Sequence, residues 1–284
     1  MLNIEPTLTE EWKPEMGFYS MEGITDASEC NARGFYGCER QNINPISSAK
    51  IHTRDFTFSK GRLEVRARLP KGDWLWPAIW LLPKYENYGG WPRSGEIDIM
   101  EARGNAPGYG PNGAIGVDTV GSTLHWGLDP FSNQYEKTNA KHTLTGGDDF
   151  SDDFHIFGLV RHDNGLYTYI DDDSNRNLEV DWSSQSFYER GDWDPNDKGQ
   201  KNIWTKTGSA LKGKPFVDEE FYIIINLAVG GVNYFPEGYG NKPWENEGGN
   251  AAEQFWSAKD QWYPTWQKSE NSKLQIDWIK VTET

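Results

Sequence analysis

The sequence predicts an all-β protein, two antiparallel sheets packed as a β-jelly-roll sandwich or a close relative of one. Three observations predict it. Short segments rich in β-branched and aromatic residues recur along the chain, Gly, Pro and Asn punctuate them, and no stretch longer than about ten residues carries a convincing 3.6-residue period. Long Gly- and Pro-rich connections between so many strands suit a sandwich.

In chain order, residues 62–69 (RLEVRARL) alternate charged Arg62, Glu64, Arg66 and Arg68 with apolar Leu63, Val65, Ala67 and Leu69. That period of two predicts a half-buried strand whose Arg and Glu lie on a solvated outer surface. Residues 155–173 read as a hairpin, with Asn164-Gly165 expected to supply the positive φ values of a tight turn. Residues 221–229 (FYIIINLAV) are nearly all apolar and predict a central strand covered on both faces. Residues 251–262 fit either a short helix or an ordered loop, and residues 274–281 (LQIDWIKV) a closing strand. GDDFSDDF and GDWDPNDKG belong in surface loops. No internal repeat or low-complexity linker interrupts the 284 residues, which predicts a single domain over 1–284.

The formal net charge of −15 argues against nucleic acid and against acidic membrane surfaces as partners, and leaves a neutral polymer acceptable. With 14 Trp, the chain can fill a core and still have aromatic surface to spare. No segment approaches the roughly 18 apolar residues of a membrane helix. The start, MLNIEPTLTEEW, lacks the basic end and apolar run of a signal peptide. The expectation is therefore either a chain that stays inside the cell or a mature form carrying an initiator Met. Cys30 and Cys38 flank a loop-like NARGFYG and are expected to form a disulfide.

The most informative stretch is GEIDIME, residues 95–101, with Glu96, Asp98 and Glu101 separated only by apolar residues. On a regular strand Glu96 and Asp98 share a face and Glu101 points to the other. Like charges on one strand are costly unless something uses them. Paired carboxylates hydrolyse glycosides, one attacking the anomeric carbon while the other protonates the departing oxygen, and both must face one cleft. The three-residue gap before Glu101 breaks parity, so a β-bulge at or near Met100 is expected to restore it. Sugars present flat C–H faces edged by hydroxyls, so aromatic platforms and polar donors should lie nearby. Trp80, Trp91, Arg93, His125 and Trp126 fall on the segments flanking the trio.

GRLEVRARLPKGDWLWPAIWLLP, WPRSGEIDIMEARG, STLHWG and FYIIINLAVGG together resemble the glycoside hydrolase family 16 endo-β-1,3-glucanases, or laminarinases, in content and order. The resemblance covers the chain from about residue 50 onward. It implies a jelly roll whose concave sheet forms the cleft, with Glu96 as nucleophile, Asp98 as its assisting carboxylate and Glu101 as general acid/base of a retaining reaction. It also implies that Trp80, Trp91, Arg93 and His125 face the cleft, with Trp126, Asn87 and Asn226 as further substrate contacts and Trp244 and Trp262 as weaker ones. The expected ligand is β-1,3-glucan and its oligosaccharides, met outside the cell by a monomer. No cofactor is required, although some members hold a structural calcium ion, to which Asp277 could contribute. Glucan-recognition proteins of the same fold lack the catalytic glutamates, and mixed-linkage hydrolases typically lack the extra Met; these, with transglycosylases, are the competing readings.

Overall fold

The computed structural model describes residues 1–8, 46–205, 216, 219–247, 251–268 and 271–282. Among these, two six-stranded antiparallel sheets enclose one apolar core. The outer sheet runs β1 (Leu2–Ile4), β14 (Leu274–Thr282), β5 (Gly61–Arg68), β10 (His155–His162), β11 (Gly165–Ile170) and β12 (Arg176–Asp181). The inner sheet runs β4 (Lys50–His52), β13 (Phe221–Val229), β6 (Leu75–Pro83), β7 (Glu96–Ala102), β8 (Thr119–His125) and β9 (Asn139–Thr143). A two-stranded ribbon pairs β2 (Thr7–Leu8) with β3 (Ile46–Ser47). The sandwich is the one the strand pattern predicts.

Alternation decides which residues enter the core. On β5, Leu63, Val65 and Ala67 are buried, each side chain of the Leu or Val kind contributing about 1.5–3 kcal/mol. The intervening Arg62, Glu64 and Arg66 line the outer face and are half-buried. There Arg62 pairs with Asp173, Tyr169 donates to Glu64 at 2.7 Å, and Arg66 reaches Asp277 at 2.6 Å. The charged alternation is thus a paired outer surface.

Two expectations need correction. The hairpin β10–β11 forms with His162 opposite Gly165, but neither Asn164 nor Gly165 has positive φ. Gly165 is required by crowding instead, because a Cβ there would stand 2.6 Å from the Val180 carbonyl of β12. Strand β13 is central, between β4 and β6, yet only one of its faces is covered: Phe221, Ile223, Ile225 and Leu227 are buried while Tyr222, Asn226 and Ala228 are half-buried on the open side. Buried Ile224 on that open side is what makes the sequence read as apolar throughout. The segment after 250 takes the helical alternative, as two helices, α2 (Ala251–Ser257) and α3 (Lys259–Lys268), which follow the short α1 (Phe187–Arg190).

Candidate active site

Strand β7 is launched by Gly95, whose φ of 88° is one that L side chains rarely adopt, and whose Cβ would meet Phe216 at 2.6 Å. Opposite β6, Met100 faces Ile79 and Asp98 faces Trp80, so Ile99 has no partner of its own. Opposite β8, Asp98 faces Thr123 and Glu101 faces Gly121, three steps on one strand against two on the other. This is the β-bulge expected from the spacing, centred on Ile99 and Met100. Ile97, Ile99, Met100 and Ala102 all enter the core, and Glu96, Asp98 and Glu101 emerge together on the open face.

The bulge has its own support. Ser122 Oγ on β8 donates to the Ile99 carbonyl at 2.7 Å, and accepts in turn from Thr168 Oγ1 at 2.8 Å and Asn177 Nδ2 at 2.9 Å. All of this is interior, where a carbonyl displaced from its ladder would cost free energy if left unpaired. A hydroxyl from the neighbouring strand satisfies it.

Each outer glutamate meets an indole. Trp91 Nε1 donates to Glu96 Oε2 at 2.7 Å, and Trp76 Nε1 donates to Glu101 Oε1 at 3.0 Å. Asp98 lies between them on the strand, 3 % exposed. Burial pushes all three carboxyls up from their ordinary values, Glu96 and Asp98 strongly. Repulsion adds to this, from Asp98 at Glu96 and from Glu101 at Asp98. The Trp76 hydrogen bond and the charge of Arg103 hold Glu101 back from rising further. A site that keeps some of its carboxyls protonated and ionises others can supply a proton and a nucleophile at one pH.

Glu96, Asp98 and His125 bring one donor atom each within 4.8 Å of one another, the only such group of acidic, His or Cys residues found among the described residues. Asp98 Oδ2 and His125 Nε2 already face each other at 3.2 Å.

A cleft of about 700 Å³ opens on the Glu96 side, lined by Trp80, Tyr85, Asn87, Trp91, Glu96 and Tyr222 among others. Its size suits a small-molecule or oligomer segment, typically about 300–1,000 Å³. Trp80 stands on the open face and donates to Asn226 Oδ1 at 2.7 Å, so these two expected contacts hold each other. Asn87 is exposed at the cleft wall, its amide donating to buried Glu219 at 2.9 Å. Trp91 is 41 % exposed at the rim. Arg93 is anchored through Nε to the Leu128 carbonyl at 2.6 Å. His125 sits opposite Glu96 across the β7–β8 pair.

Trp126 is not a substrate contact. One position past His125, its ring turns the other way and is 0 % exposed, donating through Nε1 to Thr138 and packing on Phe187, Trp193 and Trp204. Trp244 and Trp262 are also interior, bonded to the carbonyls of Gly231 and Phe255. Trp126→Ala is therefore expected to cost about 3–5 kcal/mol in a denaturant melt. Trp91→Ala should leave the melt nearly unchanged.

Asp277 is the extra residue of a bulge on β14, and its carboxylate is held by Arg66. Cys30 and Cys38 lie outside the described residues.

Sequence reasoning missed the support of Glu101. Tyr234 stacks on Trp76, with ring centroids 3.7 Å apart and planes 6° from parallel, and the Arg103 guanidinium lies 3.8 Å from the same Tyr234 centroid. Arg103 also donates to the Tyr234 carbonyl. Period-two counting back from Trp80 places Trp76 on the same face, and the same count forward from Glu101 reaches Arg103.

The sequence profile described as "Glycosyl hydrolases family 16" matches residues 37–190. A beta-1,3-glucan-binding protein of Penaeus monodon is 40% identical over 301 residues, which is 99% of this chain and 77% of that one. A glucan endo-1,3-beta-glucosidase of Cryptopygus antarcticus is 37% identical over 68% of this chain and 59% of its own length. The chain spans about half the length of several other curated relatives. Among solved structures, the catalytic domain of an endo-1,3-beta-glucanase (laminarinase) from Thermotoga petrophila superposes with a TM-score of 0.55 at 23% identity, over 98% of this chain and 75% of that chain. At that identity the likeness speaks for the fold alone.

Proposed function

The chain belongs to glycosyl hydrolases family 16, and on that premise we propose that it is an endo-β-1,3-glucanase acting with retention, through a double displacement. Glu96 attacks the anomeric carbon while Glu101 passes its proton to the glycosidic oxygen, so the C–O bond breaks as the glycosyl–Glu96 ester forms. Water then adds to the anomeric carbon, giving its proton to Glu101 as the ester bond to Glu96 breaks. Asp98, beside Glu96 on the same face, raises its carboxyl by repulsion and so tunes its charge through the cycle. Trp80 and Trp91 offer flat apolar surface to sugar faces, and Asn87 and Arg93 offer polar edges. The reaction so written uses carboxyl groups and water alone. We place it outside the cell, on polysaccharide, with the protein as a monomer.

The observation that carries this reading is the bulge, which gathers Glu96 and Glu101 on one face with an indole donor on each. A recognition module gains nothing from so costly a grouping of buried acids. The expected result is that NMR of early laminarin products shows the β anomer first, followed by mutarotation. An initial α anomer would remove the retaining assignment.

A second reading is non-catalytic glucan binding, supported by the name of the 40% identical Penaeus monodon relative. It predicts saturable binding of laminarin with no new reducing ends over long incubation. One reducing-sugar assay on laminarin and lichenan separates the two, and the lichenan arm reports on mixed-linkage cleavage.

A further inference from the structure

The loop after β8 holds its shape through local contacts. Asp129 Oδ1 accepts from the Phe131 and Ser132 amides at 2.8 and 3.0 Å, and the Gln134 amide donates to the Trp126 carbonyl at 2.8 Å. The buried Trp126 ring anchors its near end. This fixes the place of Asn133, and the Trp126 amide fixes its orientation by donating to Asn133 Oδ1 at 3.3 Å. The side-chain NH2 must then be the group facing His125 Nδ1, 2.8 Å away. An NH2 only donates, so Nδ1 accepts and the neutral ring carries its proton on Nε2. Nε2 is the atom that lies 3.2 Å from Asp98 Oδ2, a buried oxygen with no hydrogen-bond partner among the described residues, so the ring N–H is placed beside an unsatisfied acceptor.

We propose that Asn133 is a positioning residue that sets the tautomer of His125 and thereby commits an N–H to Asp98. The consequence for turnover rests on the glycosidase reading; the tautomer itself does not. An imidazole free to choose would spend part of its time with a bare Nε2 toward Asp98, acceptor against acceptor. The ionisable and charged groups around this ring are Glu96, Asp98 and Glu101 on β7 and Tyr135, whose ring lies tilted beside it with centroids 5.4 Å apart.

The test uses 15N-labelled protein and long-range proton–nitrogen correlation of the imidazole rings, with H125Q identifying the signal among five histidines. Wild type should show a protonated Nε2 and a bare Nδ1. In N133D the carboxylate only accepts, so both ring nitrogens should carry protons between two carboxylates. The positive charge on the ring, offset in part by the new carboxylate beyond it, should still move the acid limb of the kcat/KM profile on laminarin down. N133A should show a mixture of tautomers, and near-UV circular dichroism checks that both variants keep their packing. A bare Nε2 in wild type, or ring signals unchanged in both folded variants, would overturn the proposal. If wild type shows the expected tautomer but cleaves no glucan, the enzyme reading fails and the positioning role stands.

Discussion

Glu96→Gln should lower kcat on laminarin by roughly 10⁴-fold or more, with affinity for laminari-oligosaccharides within a few-fold of wild type. The amide keeps the shape of the side chain and still accepts from Trp91, whose Nε1 lies 2.7 Å from the present carboxyl. It cannot form the glycosyl ester. Turnover by single-step kinetics and binding by calorimetry measure the two quantities separately, and a variant that hydrolyses at the wild-type rate would remove Glu96 from its role. The same variant should also be more stable at neutral pH. Glu96 is pushed well above its ordinary value by burial and by repulsion from Asp98. A carboxyl whose folded value is raised binds more protons folded than unfolded, so its favourable contribution is complete only below the unfolded value and is lost as pH rises through the folded one. Replacing it with a neutral amide removes that loss. The melting temperature of the variant should exceed wild type at pH 7, and the gap should close as pH falls toward 4, near the ordinary glutamate value.

Glu101→Gln should fail differently. On laminarin the rate should drop by about 10²–10⁴-fold, because the departing sugar oxygen is a poor leaving group without a proton. On a dinitrophenyl β-glycoside the first step needs no such help, so glycosylation should stay fast while water attack slows. A burst of dinitrophenol followed by a slow steady state is the expected trace. Burial raises the Glu101 carboxyl, which keeps it protonated further toward neutrality. The alkaline limb of the wild-type profile on laminarin reports the loss of a proton from the coupled trio, and on the activated substrate that limb should be absent from the burst rate of the variant. A variant with no burst, or with an alkaline limb unchanged, would take the acid role from Glu101.

Much of the fold was legible because strands on a core announce themselves by alternation. Leu63, Val65 and Ala67 of β5 point inward as counted. So was the grouping of the acids, since a gap of three among apolar neighbours leaves a strand few ways to keep its charges together. Illegible parts have particular causes. Trp126 follows His125 by one residue, so the two take opposite sides, and a motif read as a unit hides that parity. Strand β13 reads as covered on both faces because its open side includes the buried Ile224. Asn133 sits in a loop that has no period to count. Its partner is eight residues back and its orientation comes from a backbone amide, neither of which a side-chain pattern records.

The partnering around Ile99 bears on how such a chain can change length. Removing one residue from a regular strand turns everything beyond it inside out. Here Asp98 would still face Trp80 and Glu101 would still face Ala78 if a single residue between them were deleted, since the strands alongside already count only two steps there. The Ile99–Met100 pair is thus a place where this sheet can lose a residue without reassigning its inner and outer surfaces. What would change is local twist and the aim of one carboxyl, which makes this position a hinge for tuning chemistry by insertion or deletion rather than by substitution.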